Sequence, residues 1–359
     1  AMPVDEVVLL HTESFKHQAD WLQKALDIHQ IKSRFEVLPS ADDMQILRDY
    51  FIDLYEKLKA EQPNAKLMCN VTSGTKPMSL ALYEMALMTQ QDGTEAYYQN
   101  FDDTLSWFVP GDRPRVEIED KIKIKTFLLA HGVEVVNQPQ SKISPQWRPL
   151  IDEMIDGLSS FQKGISTLNY HAVLAEKQPN LTSPDPADQN NPHFDALVDR
   201  LISYGLASWQ GQHIKFSDES ARFFCAGGWL EEYVYHTIRK MMSKSKRIQD
   251  LNQGVQVLSM LDAKVKTVAN ELDVIVLVNN QLLVLECKTY KTDPPNVQNS
   301  LYKLDTLAKQ MGGALGKGLL ITLNPLRSND YERAKLYGID VIQGDRFAQL
   351  ENALSRHIY

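Results

Sequence analysis

The chain has little cysteine and no long apolar run. Its three cysteines, Cys69, Cys225 and Cys287, are isolated among 359 residues and form no CxxC pair. Because zinc cages and disulfide frameworks need several suitably spaced cysteines, this pattern argues against both and favours reduced thiols in the cytoplasm. No stretch reaches the roughly 18 consecutive apolar residues that span a bilayer, so we expect no membrane association.

An overall positive charge and an ATP-binding loop are also missing. The formal net charge is −8, so the chain as a whole does not attract nucleic acid. Residues 230–320 nevertheless carry 12 Lys and Arg against 9 Asp and Glu, enough for weak, non-specific nucleic-acid binding. The GxxxxGK[ST] pattern does not occur, and we therefore do not expect ATP hydrolysis.

Periodicity divides the chain into three predicted domains. Residues 1–140 alternate short apolar strands with amphipathic helical patterns, which predicts an α/β, Rossmann-like, mostly parallel sheet covered by helices. Polar, proline-containing stretches at 137–149 and 178–192 are interpreted as linkers. Residues 141–220 show helices followed by a small hairpin, the outline of a winged-helix-like middle domain. Its few positive charges favour a spacer over a DNA-binding module.

The predicted C-terminal domain, residues 221–359, carries acidic residues at the ends of very apolar strands. Asp273 opens one strand, and Glu286 and Lys288 close the next, after a turn at Asn279-Asn280. Because strand side chains alternate between faces, Glu286 and Lys288 share one face. An Asn-Asn turn folds the two strands into a hairpin, so Asp273 and Glu286 are expected to converge at one end of the sheet.

Convergent carboxylates of this kind predict a site for Mg²⁺ or Mn²⁺. The predicted ligands are Asp273, Glu286, the backbone carbonyl of Cys287 and Glu231, which lies on the preceding helix. Such a metal would polarise a phosphodiester and activate water, and Lys288 would position that water or offset charge in the transition state. The neighbouring Glu232 is an alternative to Glu231.

In order and spacing, these residues resemble the PD-(D/E)xK nucleases. Asp273 matches the aspartate of that motif and Glu286-Cys287-Lys288 matches its ExK, although Leu272 stands where the motif has proline. Glu231 resembles the helix glutamate that precedes the motif in Holliday-junction-resolvase-like and RecB-like members. Gln298 and Tyr302 resemble the QxxxY motif of the RecB-like branch. The resemblance implies a metal-dependent endonuclease of restriction-endonuclease-like α/β fold acting on DNA, RNA or both.

Two polar loops follow strands of the N-terminal domain, where an open parallel sheet binds its ligands. The first contains Thr12, Glu13 and Ser14. The second contains a permissive glycine and a lysine before a helix N-terminus, which suits a phosphate group, and consists of Thr72, Ser73, Gly74, Thr75 and Lys76. Simple capping of the two helices by Ser14 and Thr75 is the alternative reading.

The N-terminal domain, and its stretch 70–78 in particular, resembles the CARF domain, a Rossmann-fold sensor of cyclic oligoadenylates. With the nuclease motif, the chain is similar to the CARF–PD-(D/E)xK effectors of type III CRISPR defence. This resemblance implies a homodimer that binds cyclic tetra-adenylate between two CARF domains through the two polar loops. Two other functions stay open at this point: a stand-alone restriction- or repair-type nuclease, and a nucleotide-responsive DNA-binding regulator with an inactive C-terminal domain.

Overall fold

The computed structural model describes residues 4–119, 121–138, 143–187, 191–260, 270–289 and 294–358. The chain forms two compact units, one of residues 1–122 and 129–132 and the other of residues 123–128 and 133–359. All three cysteines are buried and not disulfide-bonded in the structure. Within the described ranges, no helix combines the length and apolar character needed to cross a bilayer.

The first unit alternates strands and helices as predicted. Its strands are β1 (Glu6–His11), β2 (Lys32–Val37), β3 (Met68–Asn70), β4 (Glu95–Gln99), β5 (Thr104–Val109) and β6 (Val116–Glu117). Its helices are α1 (Lys16–Ile28), α2 (Met44–Glu61) and α3 (Lys76–Met88), and α4 (Ile124–Ala130) belongs partly to each unit.

Strand pairing in the first unit is parallel only in part. Strands β1 and β2 form one parallel pair, whereas β3, β4, β5 and β6 form a second sheet in which only β3 and β4 run parallel. The short connection from β4 to β5 can join only antiparallel strands, which explains why the sheet is less parallel than predicted. Leu47, Phe51 and Leu54 of α2 pack with Ala81 and Met85 of α3 in the core of this unit.

The second unit contains the rest of the chain. Its strands are β7 (Val133–Asn137), β8 (Ala207–Gln210), β9 (His213–Phe216), β10 (Ile248–Ser259), β11 (Asn270–Val278), β12 (Gln281–Lys288), β13 (Lys317–Thr322) and β14 (Asp340–Gln343). Its helices are α5 (Arg148–Asp156), α6 (Leu158–Ala175), α7 (Pro192–Ser203), α8 (Glu219–Phe223), α9 (Trp229–Met242), α10 (Pro294–Gly312), α11 (Ser328–Leu336) and α12 (Leu350–Ile358).

A six-stranded mixed sheet in the order β14-β13-β12-β11-β10-β7 forms the centre of this unit. The predicted hairpin is confirmed: Asn279 and Asn280 both have positive φ, as a two-residue turn between β11 and β12 requires. Strand β13 then pairs parallel to β12. The sheet therefore places the C-terminal end of β12 between β11 and β13, and this end carries the predicted nuclease residues.

The division of the chain differs from the three predicted domains. Strand β7 precedes residue 140 but pairs antiparallel with β10, so the first unit ends before β7. The middle segment does contain the predicted helix and hairpin, in α7 and β8–β9. However, its side chains share one continuous core with the C-terminal helices and strands, for example Phe194 with Trp229, because the middle helices cannot bury their apolar faces alone. Residues 139–142 and 188–190 of the predicted linkers lie outside the described residues.

Candidate active site

The β11–β12 hairpin places two carboxylates side by side. Val274 pairs with Leu285 in the antiparallel ladder, and the same register one residue further on sets Asp273 opposite Glu286. The Cys287 backbone N–H donates a 2.7 Å hydrogen bond to Oδ2 of Asp273, which fixes that carboxylate against the partner strand. The predicted convergence of Asp273 and Glu286 is therefore present in the structure.

Lys288 lies on the same face of β12 as Glu286, as the strand alternation predicts. Its Nζ is 2.5 Å from Oε1 of Glu286, and the two side chains are 20% and 13% exposed. A partly buried ion pair of this kind keeps the lysine ammonium beside the carboxylates and accessible to a bound molecule. An amine at this position can donate hydrogen bonds to an anionic substrate.

The local electrostatics favour binding of a cation. Burial, followed by the neighbouring carboxylate of Glu286, raises the pKa of Asp273 to about 7, while the positive charges of Lys288 and Lys303 act in the opposite direction. Two adjacent carboxylates that repel each other in a partly buried setting are stabilised by a shared divalent cation. Lys303, on α10, was not singled out by any sequence motif, and its charge at the site follows only from the packing of α10.

The structure distinguishes the two helix glutamates. Glu232 is 1% exposed; its carboxylate accepts a 3.0 Å hydrogen bond from Nε2 of Gln253 and lies 2.7 Å from Nε2 of His236, so it is committed to the protein interior. Glu231 is only partly buried, and its charge is one of those that raise the pKa of the Cys287 thiol, after burial and Asp273. Glu231 is therefore the glutamate that acts electrostatically on the strand end carrying the ExK motif.

Gln298 and Tyr302 lie one turn apart on α10 and are both exposed, Tyr302 by 64%. The buried face of this helix is formed by other residues, Val297, Leu301, Leu304, Leu307, Ala308 and Met311. Core packing, the usual explanation for a pair of residues four apart on a helix, therefore does not account for Gln298 and Tyr302. Their predicted catalytic role stays a prediction.

The donor set suits a hard cation that keeps part of its water shell. Within the described part of the chain, no three His, Cys, Asp or Glu side chains are grouped closely enough to hold a metal ion by themselves. Mg²⁺ in nucleic-acid enzymes is commonly held by only one or two carboxylates, together with water and substrate oxygens. The pair Asp273 and Glu286 meets that requirement, and Glu231 and the Cys287 carbonyl stay predicted additional ligands.

The second polar loop of the N-terminal unit connects β3 to α3. Thr75 caps α3: its Oγ1 accepts from the backbone N–H of Met78 at 3.3 Å and donates to the carbonyl of Ala41. Thr72 is also used by the fold, because its hydroxyl accepts a 2.7 Å hydrogen bond from the Gln99 backbone N–H. The hypothesis that Thr75 caps its helix is thus correct. Because the hydroxyls of Thr72 and Thr75 are used within the fold, other residues of the loop would have to contact a ligand.

Ser73, Gly74, Thr75 and Lys76 form the exposed part of this loop. Gly74 has φ of +92°, a left-handed conformation that side chains rarely adopt, and it turns the chain into the N-terminus of α3. In that arrangement, the Ser73 hydroxyl and the Lys76 ammonium lie at the N-terminus of α3. A hydroxyl and an ammonium group at a helix N-terminus suit a phosphate.

The first polar loop follows β1 in a similar way. Thr12 and Ser14 hydrogen-bond to each other through their hydroxyls at 3.0 Å, and Glu13 and Ser14 are exposed. Ser14 lies inside a single 3-10 turn and is not the residue that caps α1, so the capping reading does not explain it. Both loops lie at the C-terminal ends of strands, where the α/β pattern predicts ligand binding.

Comparison with known proteins identifies a CARF domain at the start of the chain and an endonuclease domain at its end, the combination that defines the CARF-domain endonucleases. Residues 2–127 match the Card1 CARF domain, and residues 218–358 match the Card1-like endonuclease domain. Together these matches cover most of the chain, which therefore combines a Card1 CARF domain with a Card1-like endonuclease domain and is a nuclease with a CARF domain. A comparison with curated protein sequences found no match.

Two solved structures resemble the whole chain. Protein VC1899 from Vibrio cholerae is 25% identical with a TM-score of 0.88, over 99% of this chain and 91% of that one. Can2 from Sulfobacillus thermosulfidooxidans, solved in complex with cyclic tetra-adenylate, is 24% identical with a TM-score of 0.80, over 100% and 94% of the two chains. A type III CRISPR defence DNA nuclease activated by cyclic oligoadenylate shares 18% identity, with a TM-score of 0.58 over 98% of this chain and 48% of that one.

Proposed function

We propose that this protein is a divalent-metal-dependent endonuclease that a cyclic oligoadenylate switches on. The main support for the catalytic activity is that Asp273 and Glu286 face each other, with Nζ of Lys288 2.5 Å from Oε1 of Glu286. When bound, Mg²⁺ or Mn²⁺ would polarise the phosphodiester and lower the pKa of a water molecule. Asp273 and Glu286 would hold the cation.

The side chains of the site have separate tasks in this proposal. The Cys287 N–H keeps Asp273 in place, and Lys288 orients the attacking water or the scissile phosphate through its ammonium group. Glu231 contributes negative charge from the first turn of α9. Tyr302 and Gln298, exposed on α10, would contact the nucleic-acid strand.

The ligand half rests on the loop of residues 72–76 and on the likeness to Can2, which binds cyclic tetra-adenylate. Ser73 and Lys76 would bind a phosphate or ribose of that ligand at the N-terminus of α3. Thr12, Glu13 and Ser14 would contact it from the C-terminal end of β1. The fold uses the hydroxyls of Thr72 and Thr75, so these two residues would shape the loop and leave the contacts to Ser73 and Lys76.

A two-fold dimer would present this loop twice to a ring-shaped ligand. Leu80 and Leu87 lie seven residues apart on the same face of α3 and are 54% and 49% exposed, with Met88 nearby at 74%. An exposed apolar stripe of this kind is typical of a protein–protein interface. Because the loop begins the same helix, pairing of two copies along α3 would bring their loops together.

The test is a cleavage assay on plasmid DNA, single-stranded DNA and RNA, each with and without Mn²⁺ and cyclic tetra-adenylate. We expect cleavage of at least one substrate only when both Mn²⁺ and the cyclic nucleotide are present, and none in EDTA. Cleavage that is independent of every cyclic oligoadenylate would favour a stand-alone nuclease. Absence of cleavage together with ligand-dependent DNA binding would favour a regulator.

A further inference from the structure

A buried polar contact lies directly behind the end of β12. Asn169 of α6 donates a 2.7 Å hydrogen bond from Nδ2 to Oγ1 of Thr289, the residue that follows Lys288. Both side chains are almost fully buried, at 2% and 3% exposure. The bond joins residues 120 positions apart in sequence, so it ties a helix of the middle segment to the strand end of the active site.

The same helix also holds the neighbouring strand. Gln162, two turns before Asn169, donates from Nε2 to the carbonyl of Leu323 at 3.2 Å. Leu323 follows β13, and its own N–H donates to the carbonyl of Lys288 at 2.9 Å. Asn324 adds a 3.3 Å hydrogen bond from Nδ2 to the carbonyl of Thr289. Helix α6 therefore fixes the ends of β12 and β13 at two points.

Thr289 also lies against the turn that precedes α9, the helix that carries Glu231. Gly227, with φ of +121°, lies in the kinked turn before α9, and a Cβ built on it would clash with Oγ1 of Thr289. Gly227 precedes Glu231 by only four residues. The Thr289 hydroxyl thus lies between the amide of α6 and the backbone that leads into α9, next to the strand that carries Glu286 and Lys288.

The amide of Asn169 is not explained by stability alone. Its Oδ1 is buried and has no hydrogen-bond partner among the described residues. A buried polar atom without a partner destabilises the folded state, and an apolar side chain of similar size would avoid that loss. The hydrogen bond from the Asn169 amide N–H to Thr289 requires an amide at this position, because leucine has no donor.

We propose that Thr289, held by Asn169, is a positioning residue that sets the place of Glu286 and Lys288 relative to Glu231. This inference rests on the proposed nuclease function of those residues. Neither Thr289 nor Asn169 touches the substrate in this account. They act through the backbone at residues 287–289, where a displacement of about 1 Å is enough to lower catalysis about 100-fold.

The test compares Thr289→Val with Thr289→Ser in the full-length protein. Valine keeps the shape and removes the hydroxyl, whereas serine keeps the hydroxyl and removes a methyl group. We expect Thr289→Val to lower the cleavage rate at saturating Mn²⁺ and substrate at least about tenfold, and Thr289→Ser to keep the wild-type rate within about twofold. Asn169→Leu should match Thr289→Val, and the double variant should be no slower than either, because both changes break one bond.

Hydrogen exchange provides a second readout that does not depend on nuclease activity. The amide of Leu323, which donates to Lys288, should exchange faster in Thr289→Val than in Thr289→Ser. Thr89→Val removes another buried threonine hydroxyl, bonded to Met85 in the first unit, and should change neither the rate nor this exchange. Melting temperatures identify any loss of activity that merely follows unfolding.

The outcomes separate the two proposals. Equal cleavage and equal exchange in Thr289→Val and Thr289→Ser would overturn the positioning role. Faster exchange in Thr289→Val, together with a wild-type protein that cleaves nothing, would support the bond between α6 and the strand end and overturn the proposed nuclease function. Slower cleavage that parallels the folded fraction, with unchanged exchange, would show Thr289 to be merely structural.

Discussion

At the scale of single residues, the proposed chemistry rests on two facing carboxylates, Asp273 and Glu286, and on Lys288. The sequence pattern predicted their convergence, because the period of two along β12 and the Asn-Asn turn fix which side chains meet. It left Glu231 and Glu232 undecided, since both lie in the first turn of α9. Burial and the Gln253 hydrogen bond assign Glu232 to the interior, and these depend on long-range packing that no local pattern contains.

Asp273→Asn and Glu286→Gln should each reduce cleavage by at least about tenfold while leaving the fold intact, because each removes a charged ligand of the proposed cation. Glu332→Gln is the matched control, since it neutralises an exposed carboxylate on α11. Cleavage rates at several Mn²⁺ concentrations, with melting curves for each variant, measure the effect. Wild-type rates in Asp273→Asn or Glu286→Gln would remove these residues from the site.

Lys288→Ala should slow cleavage without abolishing metal binding. The lysine contacts Glu286 but offers no lone pair to a cation, so its role lies with water or substrate. Calorimetric titration with Mn²⁺ measures the binding, and Lys335→Ala, which removes an exposed amine on α11, serves as the control. Loss of the Mn²⁺ heat in Lys288→Ala alone would contradict this role.

At the scale of secondary structure, the proposed ligand loop and the proposed dimer interface share helix α3. The sequence predicted α3 and α9 well, because proline, glycine and helical periodicity mark their ends. It missed that β7 joins the C-terminal sheet, since this five-residue strand acquires its partner β10 only through tertiary pairing. The bond between Asn169 and Thr289 was equally inaccessible, because 120 residues separate its partners.

Gly74→Ala should weaken activation by cyclic tetra-adenylate. A left-handed φ costs an L side chain about 1–2 kcal/mol, so alanine would distort the loop that precedes α3. Gly93→Ala, at φ of +84° and with open space around it, introduces the same strain away from this loop. Dose–response curves should shift for Gly74→Ala only. An equal shift in both variants would show that the effect reflects stability and not the loop.

Leu80→Asp and Leu87→Asp should dissociate the proposed dimer. Each leucine buried at an interface contributes about 1.5–3 kcal/mol, and an aspartate at the same position adds an unpaired charge. Light scattering should give the mass of a monomer for these variants and of a dimer for the wild type. Leu336 lies on α11 and is more exposed than Leu80 or Leu87, so the Leu336→Asp variant serves as the control and should stay dimeric. A monomeric wild type, with or without ligand, would contradict the dimer.

At the scale of the whole molecule, the proposed function requires a ligand in the first unit to alter the activity of the second. Such control requires that the ligand bind the active arrangement more tightly than the inactive one, and a tenfold preference corresponds to about 1.4 kcal/mol. The two domain matches and the sheet architecture agree on a CARF unit followed by an endonuclease unit. The predicted linkers do not coincide with the boundary between the two units, because the middle helices share one core with the endonuclease unit.

The most direct test of this control is the cleavage rate as a function of cyclic tetra-adenylate concentration, measured at saturating Mn²⁺ for the wild type, Lys76→Ala and Lys66→Ala. Lys66 is an exposed lysine of the same unit outside the loop of residues 72–76. We predict a saturable rise for the wild type and Lys66→Ala, and a half-maximal concentration at least about tenfold higher for Lys76→Ala. A wild-type rate that stays the same at every concentration of the cyclic nucleotide would contradict the proposed activation.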